Sequence, residues 1–164
     1  MINFVRQLHD MSTTELHTLL ASAGVDPDNV PSPGGTYDSV VIRGNTAFVA
    51  IQFPIEGDRF LFKGVLGRDL QTAQGYEAAM LCAVNVLRQA NRYIGIERIA
   101  GLNHFDCYYQ CDDHWDDGPI VANGASDLFK RILGEKGRHT RAIMGVHKLP
   151  RNFSVGIVAS FTLV

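Results

Sequence analysis

The stretch HTRAIMGVHKLPRNFSVGI at 139–157 sets two basic side chains, His139 and Arg141, on one side of a segment that otherwise reads as a strand. An arginine offers a planar fork that holds a carboxylate through two parallel hydrogen bonds. A histidine exchanges a proton near neutral pH. Together they have the chemistry of a small-anion site with an acid–base group beside it. The structural alternative is an interfacial or solvated Arg141 paired with a carboxylate, and His139 as a satisfied interface histidine.

A second cluster is His104, Cys107, Cys111 and His114, spaced H-x2-C-x3-C-x2-H amid Asp106, Asp112, Asp113, Asp116 and Asp117. Such ligands bind zinc. The spacing is not that of a structural zinc framework, and residues 104–107 fall in a strand whose sides alternate. No metal is expected; the stretch reads as a strand end followed by a solvated acidic loop. Trp115 in that loop is expected to dock on a neighbouring subunit. SPGGTY at 32–37 lacks the Lys-Ser/Thr and following helix of a phosphate loop. No cysteine has an evident activating neighbour.

The elements that must position these residues follow from periodicity. Ser12 and Glu15 form a capping box for a short helix that Gly24 stops, and DPDNVPSPGG at 26–35 is a loop. Residues 37–43 and 46–53 read as a hairpin around Gly44-Asn45, and 58–66 as a third strand. A helical stripe of Tyr76, Ala79, Met80, Ala83, Leu87 and Ala90 predicts a helix over 72–94. A strand over 96–107 follows. Ser126 is expected to cap a short second helix ending at Gly134. Strands over 138–147 and 153–163 close the chain. In 138–147 the apolar even positions Thr140, Ala142, Met144 and Val146 are expected under the helices, with His139 and Arg141 facing away. In 153–163 the odd positions are the core face. The order predicts an α+β fold, two main helices on one face of a mixed sheet, plus the short N-terminal helix.

A chain of 164 residues fits one domain, 1–164, with 1–36 as a helix-and-loop extension and 37–164 as the core. With 46% hydrophobic and 20% charged residues it is neither disordered nor membrane-spanning. A net charge of −2 gives no basic stripe for nucleic acid, and none is expected as a partner. Three cysteines and a start without a secretory pattern point to a cytoplasmic setting.

The segments GVLGRDLQTAQGYEAAMLCAVNVL, GASDLF and GEKGRHTRAIMGVHKLP, in this order and spacing, resemble the RidA/YjgF family, also called L-PSP endoribonucleases, in its longer-chain branch. The resemblance runs from Tyr37 to the C-terminus. It implies a chorismate-mutase-like fold and a homotrimer with ligand clefts between subunits. It implies hydrolysis of imines and enamines in the deaminase branch, and no cofactor. Arg141, nine residues before Pro150, matches the arginine that binds the substrate carboxylate. Tyr37 matches the tyrosine that lines the cleft.

The chain departs from that pattern at two places. The glutamate that serves the hydrolytic water is replaced by Gly156, and the Ser-Gly-Gln after the second strand reads Ala50-Ile51-Gln52. Ile51 thus stands where the backbone approaches ligand. Loss of an acid beside an arginine favours an anionic ligand and weakens general-base catalysis. Asp127 or Glu135 of a neighbouring subunit is open as a substitute acid. Three functions compete: a weakened imine/enamine deaminase that clamps its substrate through Arg141, a non-catalytic small-metabolite binding protein on the same scaffold, and an endoribonuclease. Charge disfavours the last.

Overall fold

The computed structural model describes Thr18, Ala21 and residues 26–164; apart from those two residues, the short helix expected over 12–23 lies outside the described residues. Strand β1 (Val40–Arg43) turns through Gly44-Asn45 into β2 (Thr46–Gln52). A small hairpin of β3 (Ile55–Glu56) and β4 (Arg59–Phe60) follows. Helix α1 is Thr72–Tyr93, β5 is Ile99–Gln110, α2 is Gly118–Leu133, β6 is Thr140–Val146 and β7 is Val155–Leu163. The main sheet has the order β1-β2-β7-β5-β6. All its pairs are antiparallel except β5–β6, which is parallel. Both helices pack against each other and on one face of this mixed sheet, the expected α+β arrangement.

The two helices touch closely because Gly124 faces Tyr76: a Cβ at 124 would run into the Tyr76 carbonyl. Ala79, Ala83 and Ala90 of α1 are small enough to let the helix sit low on the sheet, over buried Phe105, Ile157 and Phe161. Each such large side chain contributes about 1.5–3 kcal/mol on burial.

Three expectations need correction. Residues 58–66 form no third strand: beyond β4 the chain breaks at Phe62 and Gly64, both with positive φ (49° and 131°). Helix α2 begins at Gly118, not at Ser126, because Pro119 suits a first turn and Val121, Ala122 and Ala125 continue the buried stripe. The faces of β6 are inverted. Arg141 lies in a row with Phe105, Ala159 and Val49, on the helix side. Thr140, Ala142 and Met144 lie in rows with His104, Asp106 and Tyr108, on the outer side. The apolar alternation misleads here because the outer face is itself semi-apolar. Phe48, in the row of Ser160 and His104, is 51% exposed.

Among the described residues no helix is long and apolar enough to cross a membrane.

Candidate functional site

Arg141 is placed by β6 and held by one face of α2. Its Nη1 donates to Asn123 Oδ1 at 2.8 Å and to Ser126 Oγ at 3.0 Å; its Nη2 donates to the Pro119 carbonyl at 3.3 Å. Asn123 and Ser126 are three residues apart, hence on one side of the helix. Three of the five guanidinium N–H groups are thus satisfied. Among the described residues no carboxylate is paired with Arg141. The fork is fixed and half-buried, and no described residue serves it as a counter-ion.

His139 sits just before β6. Its Nδ1 lies 2.6 Å from the Gly137 carbonyl, which can only accept, so the proton is on Nδ1. Its Nε2, 3.0 Å from Ser126 Oγ, therefore accepts the serine hydroxyl. Burial pulls the His139 pKa below its ordinary value, and Lys130, Arg141 and His104 push the same way against the Gly137 bond. The ring, 5.0 Å from that of Phe105, is neutral at neutral pH. The result is one directed chain: Arg141 to Ser126, Ser126 to His139, His139 to Gly137.

Tyr37 and Ile51 lie elsewhere. Both line an open pocket of about 880 Å³ with Gln52, Phe53, Gln89 and Pro150, while Arg141 and His139 do not. Tyr37 is 49% exposed and its hydroxyl accepts the Gly34 amide at 3.1 Å. The far wall of the pocket is the 26–34 loop. It is pinned by buried groups of α1: Arg88 Nε donates to the Asp26 carbonyl at 2.8 Å, and Gln89 Nε2 to the Pro31 carbonyl at 2.7 Å. Arg88 also holds Glu56 through both carboxylate oxygens, at 3.0 and 3.1 Å. Burial raises the Glu56 pKa, but the bonds and charge of Arg88 with Asn29 and Arg59 outweigh it, and the net shift is downward.

Gly156 is covered. A Cβ there would lie 2.8 Å from both Ile51 Cδ1 and Phe53 Cε1. The two departures from the family pattern are therefore one packing event: Ile51 occupies the space an acid at 156 would need. Neither substitute acid reaches Arg141 within the chain. Asp127 accepts the Tyr76 hydroxyl at 2.9 Å and Glu135 lies 3.5 Å from Arg138.

Among the described residues no group of three or more His, Cys, Asp or Glu side chains is placed to hold a metal. His104 instead bonds Asp106 and Thr140, at 3.0 and 2.8 Å. Burial pushes the Cys107 thiol up to about 12, which removes it as a nucleophile. Trp115, expected against a neighbour, docks on its own chain: its indole N–H donates to Thr72 Oγ1 at 3.1 Å and its ring meets Tyr109 edge-on.

Sequence reasoning missed Asn123 and Ser126 as partners of Arg141. The three-residue spacing within NGAS was the available signal, hidden by reading Ser126 as a cap.

A mixed sheet of order β1-β2-β7-β5-β6 with two helices on one face is a scaffold of the YjgF, chorismate-mutase-like type. The model of the family described as "YjgF/chorismate mutase-like, putative endoribonuclease" matches residues 17–163, and the chain belongs to that family. It is 30% identical over 142 residues to protein TCP17 of Trypanosoma cruzi, covering 85% of this chain and 89% of TCP17. The crystal structure of Atu1372 from Agrobacterium tumefaciens, a protein of unknown function, is similar with a TM-score of 0.85 and 31% identity, over 93% of this chain and 94% of that one. A Shewanella oneidensis structure described as a "putative endoribonuclease" is similar with a TM-score of 0.86 and 28% identity, over 90% and 99% of the two chains.

Proposed function

We propose that the protein is a cytoplasmic homotrimer that binds a small carboxylate or imine metabolite in clefts between subunits, with Arg141 as the carboxylate clamp. The observation that carries this reading is the fixed Arg141 fork, with no carboxylate beside it among the described residues. Such a pre-organised cation loses little entropy on binding an anion. Its remaining N–H groups match a carboxylate held in plane.

The trimer brings Arg141 of one subunit to Tyr37 and Ile51 of the next, which a single chain keeps apart. The semi-apolar outer face of the sheet, with Phe48 half exposed, is the surface that assembly would cover. His139 acts through Ser126 and Arg141 rather than as a proton carrier.

Hydrolysis of imines or enamines, the activity of the deaminase branch, is weak at most here. Gly156 supplies no acid and Ile51 fills the space of one. A non-catalytic binding role follows from the same observation. Cleavage of RNA finds less support: a net charge of −2 does not draw a phosphate backbone.

The test is deamination of enzymatically generated 2-aminoacrylate together with calorimetry of pyruvate binding. Binding by the wild type that disappears in Arg141→Ala, with a trimer intact by sedimentation, is expected. Equal affinity in Arg141→Ala would overturn the clamp. A monomer in solution would overturn the shared cleft.

A further inference from the structure

The pocket beside Tyr37 has a cation of its own. Arg151 lines it and sits in the turn between β6 and β7, with its guanidinium carbon 4.9 Å from the centroid of Phe60. The turn is unusual: Arg151 and Asn152 are successive non-glycine residues with positive φ, 53° and 62°. Asparagine tolerates that conformation, but arginine seldom adopts it, and it persists only where surrounding contacts impose it. Those contacts come from behind the turn. Gln110 Nε2 donates to Asn152 Oδ1 at 2.7 Å, the Gly64 amide to the Asn152 carbonyl at 2.8 Å, and the Leu149 amide to Gln110 Oε1 at 2.8 Å. They lock the backbone and aim the Arg151 side chain over Phe60.

Phe60 continues a set of rings. Phe60 meets Phe153 edge-on at 5.5 Å, and Phe153 stacks on Phe53 at 4.8 Å with the planes 10° apart. All three line the pocket, together with the polar side chains of Gln52 and Gln89. A three-carbon acid fills little of about 880 Å³, whereas pockets of this size suit ligands with a ring system. Among the described residues no carboxylate is paired with Arg151. Asp58 also lines the pocket and works against a second negative charge on the ligand.

We propose that this pocket binds an aromatic monocarboxylate, its ring against Phe60 and Phe53 and its carboxylate on Arg151. This goes beyond the cleft reading: the pocket shares Tyr37 and Ile51 with that cleft but places the carboxylate on Arg151 rather than Arg141.

The experiment is calorimetry on the full chain with three probes: 3-phenylpropionate, propionate and 3-phenyl-1-propanol. 3-Phenylpropionate binds about tenfold tighter than either probe that lacks the ring or the charge. Arg151→Gln removes the advantage of the acid over the alcohol and leaves the alcohol unchanged. Phe60→Leu weakens both ring-bearing probes. Arg151 is exposed, so unchanged thermal unfolding of Arg151→Gln separates lost binding from lost fold. Equal affinities for the three probes, no saturation at millimolar concentration, or an acid affinity untouched by Arg151→Gln each overturn the proposal. Arg141→Ala, measured alongside, separates the two readings. Loss of 3-phenylpropionate in Arg141→Ala but not in Arg151→Gln removes this proposal and keeps the clamp. The reverse pattern removes the clamp and keeps this proposal.

Discussion

The Ser126 hydroxyl donates to Nε2 of His139 across 3.0 Å, so a serine in the middle of a helix is tied to a residue of the following strand's entry. Because its proton goes to His139, its oxygen is free to accept from Arg141 Nη1, also at 3.0 Å. Removing the hydroxyl breaks both links. Ser126→Ala is expected to cost about 1 kcal/mol of stability, the usual net worth of a hydrogen bond between half-buried groups. Urea unfolding measures it. A carboxylate held by Arg141 should bind more weakly in the same variant, although Arg141 itself is intact. Unchanged stability and affinity would reduce the chain of bonds to coincidence.

Acid acts on the same chain. The folded-state pKa of His139 is below the unfolded value of about 6.5, so the unfolded chain takes up its proton first. The contribution to stability is whole above that value and declines as pH falls below it, until the folded ring is protonated too. Protonated Nε2 no longer accepts, so the Ser126 hydroxyl must turn its proton away and the directed chain from Arg141 to Gly137 is broken at His139. Glu56 adds a second decline at lower pH: its folded pKa is depressed, so its contribution is lost as pH falls through that folded value. Thermal midpoints measured across the acid range should fall in two stages, and His139→Gln should remove the upper one.

Gly156→Glu alone is expected to destabilise by about 1–3 kcal/mol, because the new side chain meets Ile51 and Phe53. Combined with Ile51→Gly, which removes one of the two contacts and leaves Phe53, the acid should cost less than alone and 2-aminoacrylate turnover should rise over wild type. Denaturation and the deamination assay on the single and double variants decide this. A single variant as stable as wild type would show that the two positions are not coupled.

Glu56→Ala strands the Arg88 guanidinium, whose side chain is wholly buried. The expected loss is about 3–5 kcal/mol, much more than from a surface ion pair. The 26–34 loop should loosen with it, since Arg88 and Asn29 lose their common partner. Amide hydrogen exchange at Val30 and urea unfolding read the two effects.

The fold was legible where one face was apolar and the other was not. The stripe from Tyr76 to Ala90 marks α1 to within a residue of Thr72–Tyr93. The odd positions of 153–163 are the buried face of β7, with Val155, Ile157 and Phe161 at 0% exposure. Legibility failed where both faces carry apolar residues. On β6 the semi-apolar outer row of Ala142 and Met144 looked more core-like than the row of Arg141, which is satisfied by α2 instead of being excluded from it. It failed too where a signal was local and the answer was not. Ser126 has the chemistry of a cap, yet α2 starts eight residues earlier. Arg141 could be singled out as a candidate from its strand, with the clamp role coming from the resemblance. Arg151 could not, because its setting depends on Gln110 and Phe60, both distant in sequence.

The bond from Arg88 to the Asp26 carbonyl joins residues 62 apart. Arg88 is itself held by Asn85 of α1 and Glu56 of the β3–β4 hairpin, so this contact is expected to form after that helix and hairpin are in place. The loop that lines the pocket beside Tyr37 is then completed after the helix and hairpin that hold it, and in reverse comes away before them. A pulse of hydrogen exchange during refolding should label Val30 after the amides of β5 and β7 are protected. The protein would acquire its tertiary shape first and its capacity to hold a ligand afterwards, a separation in time of two things the finished structure shows together.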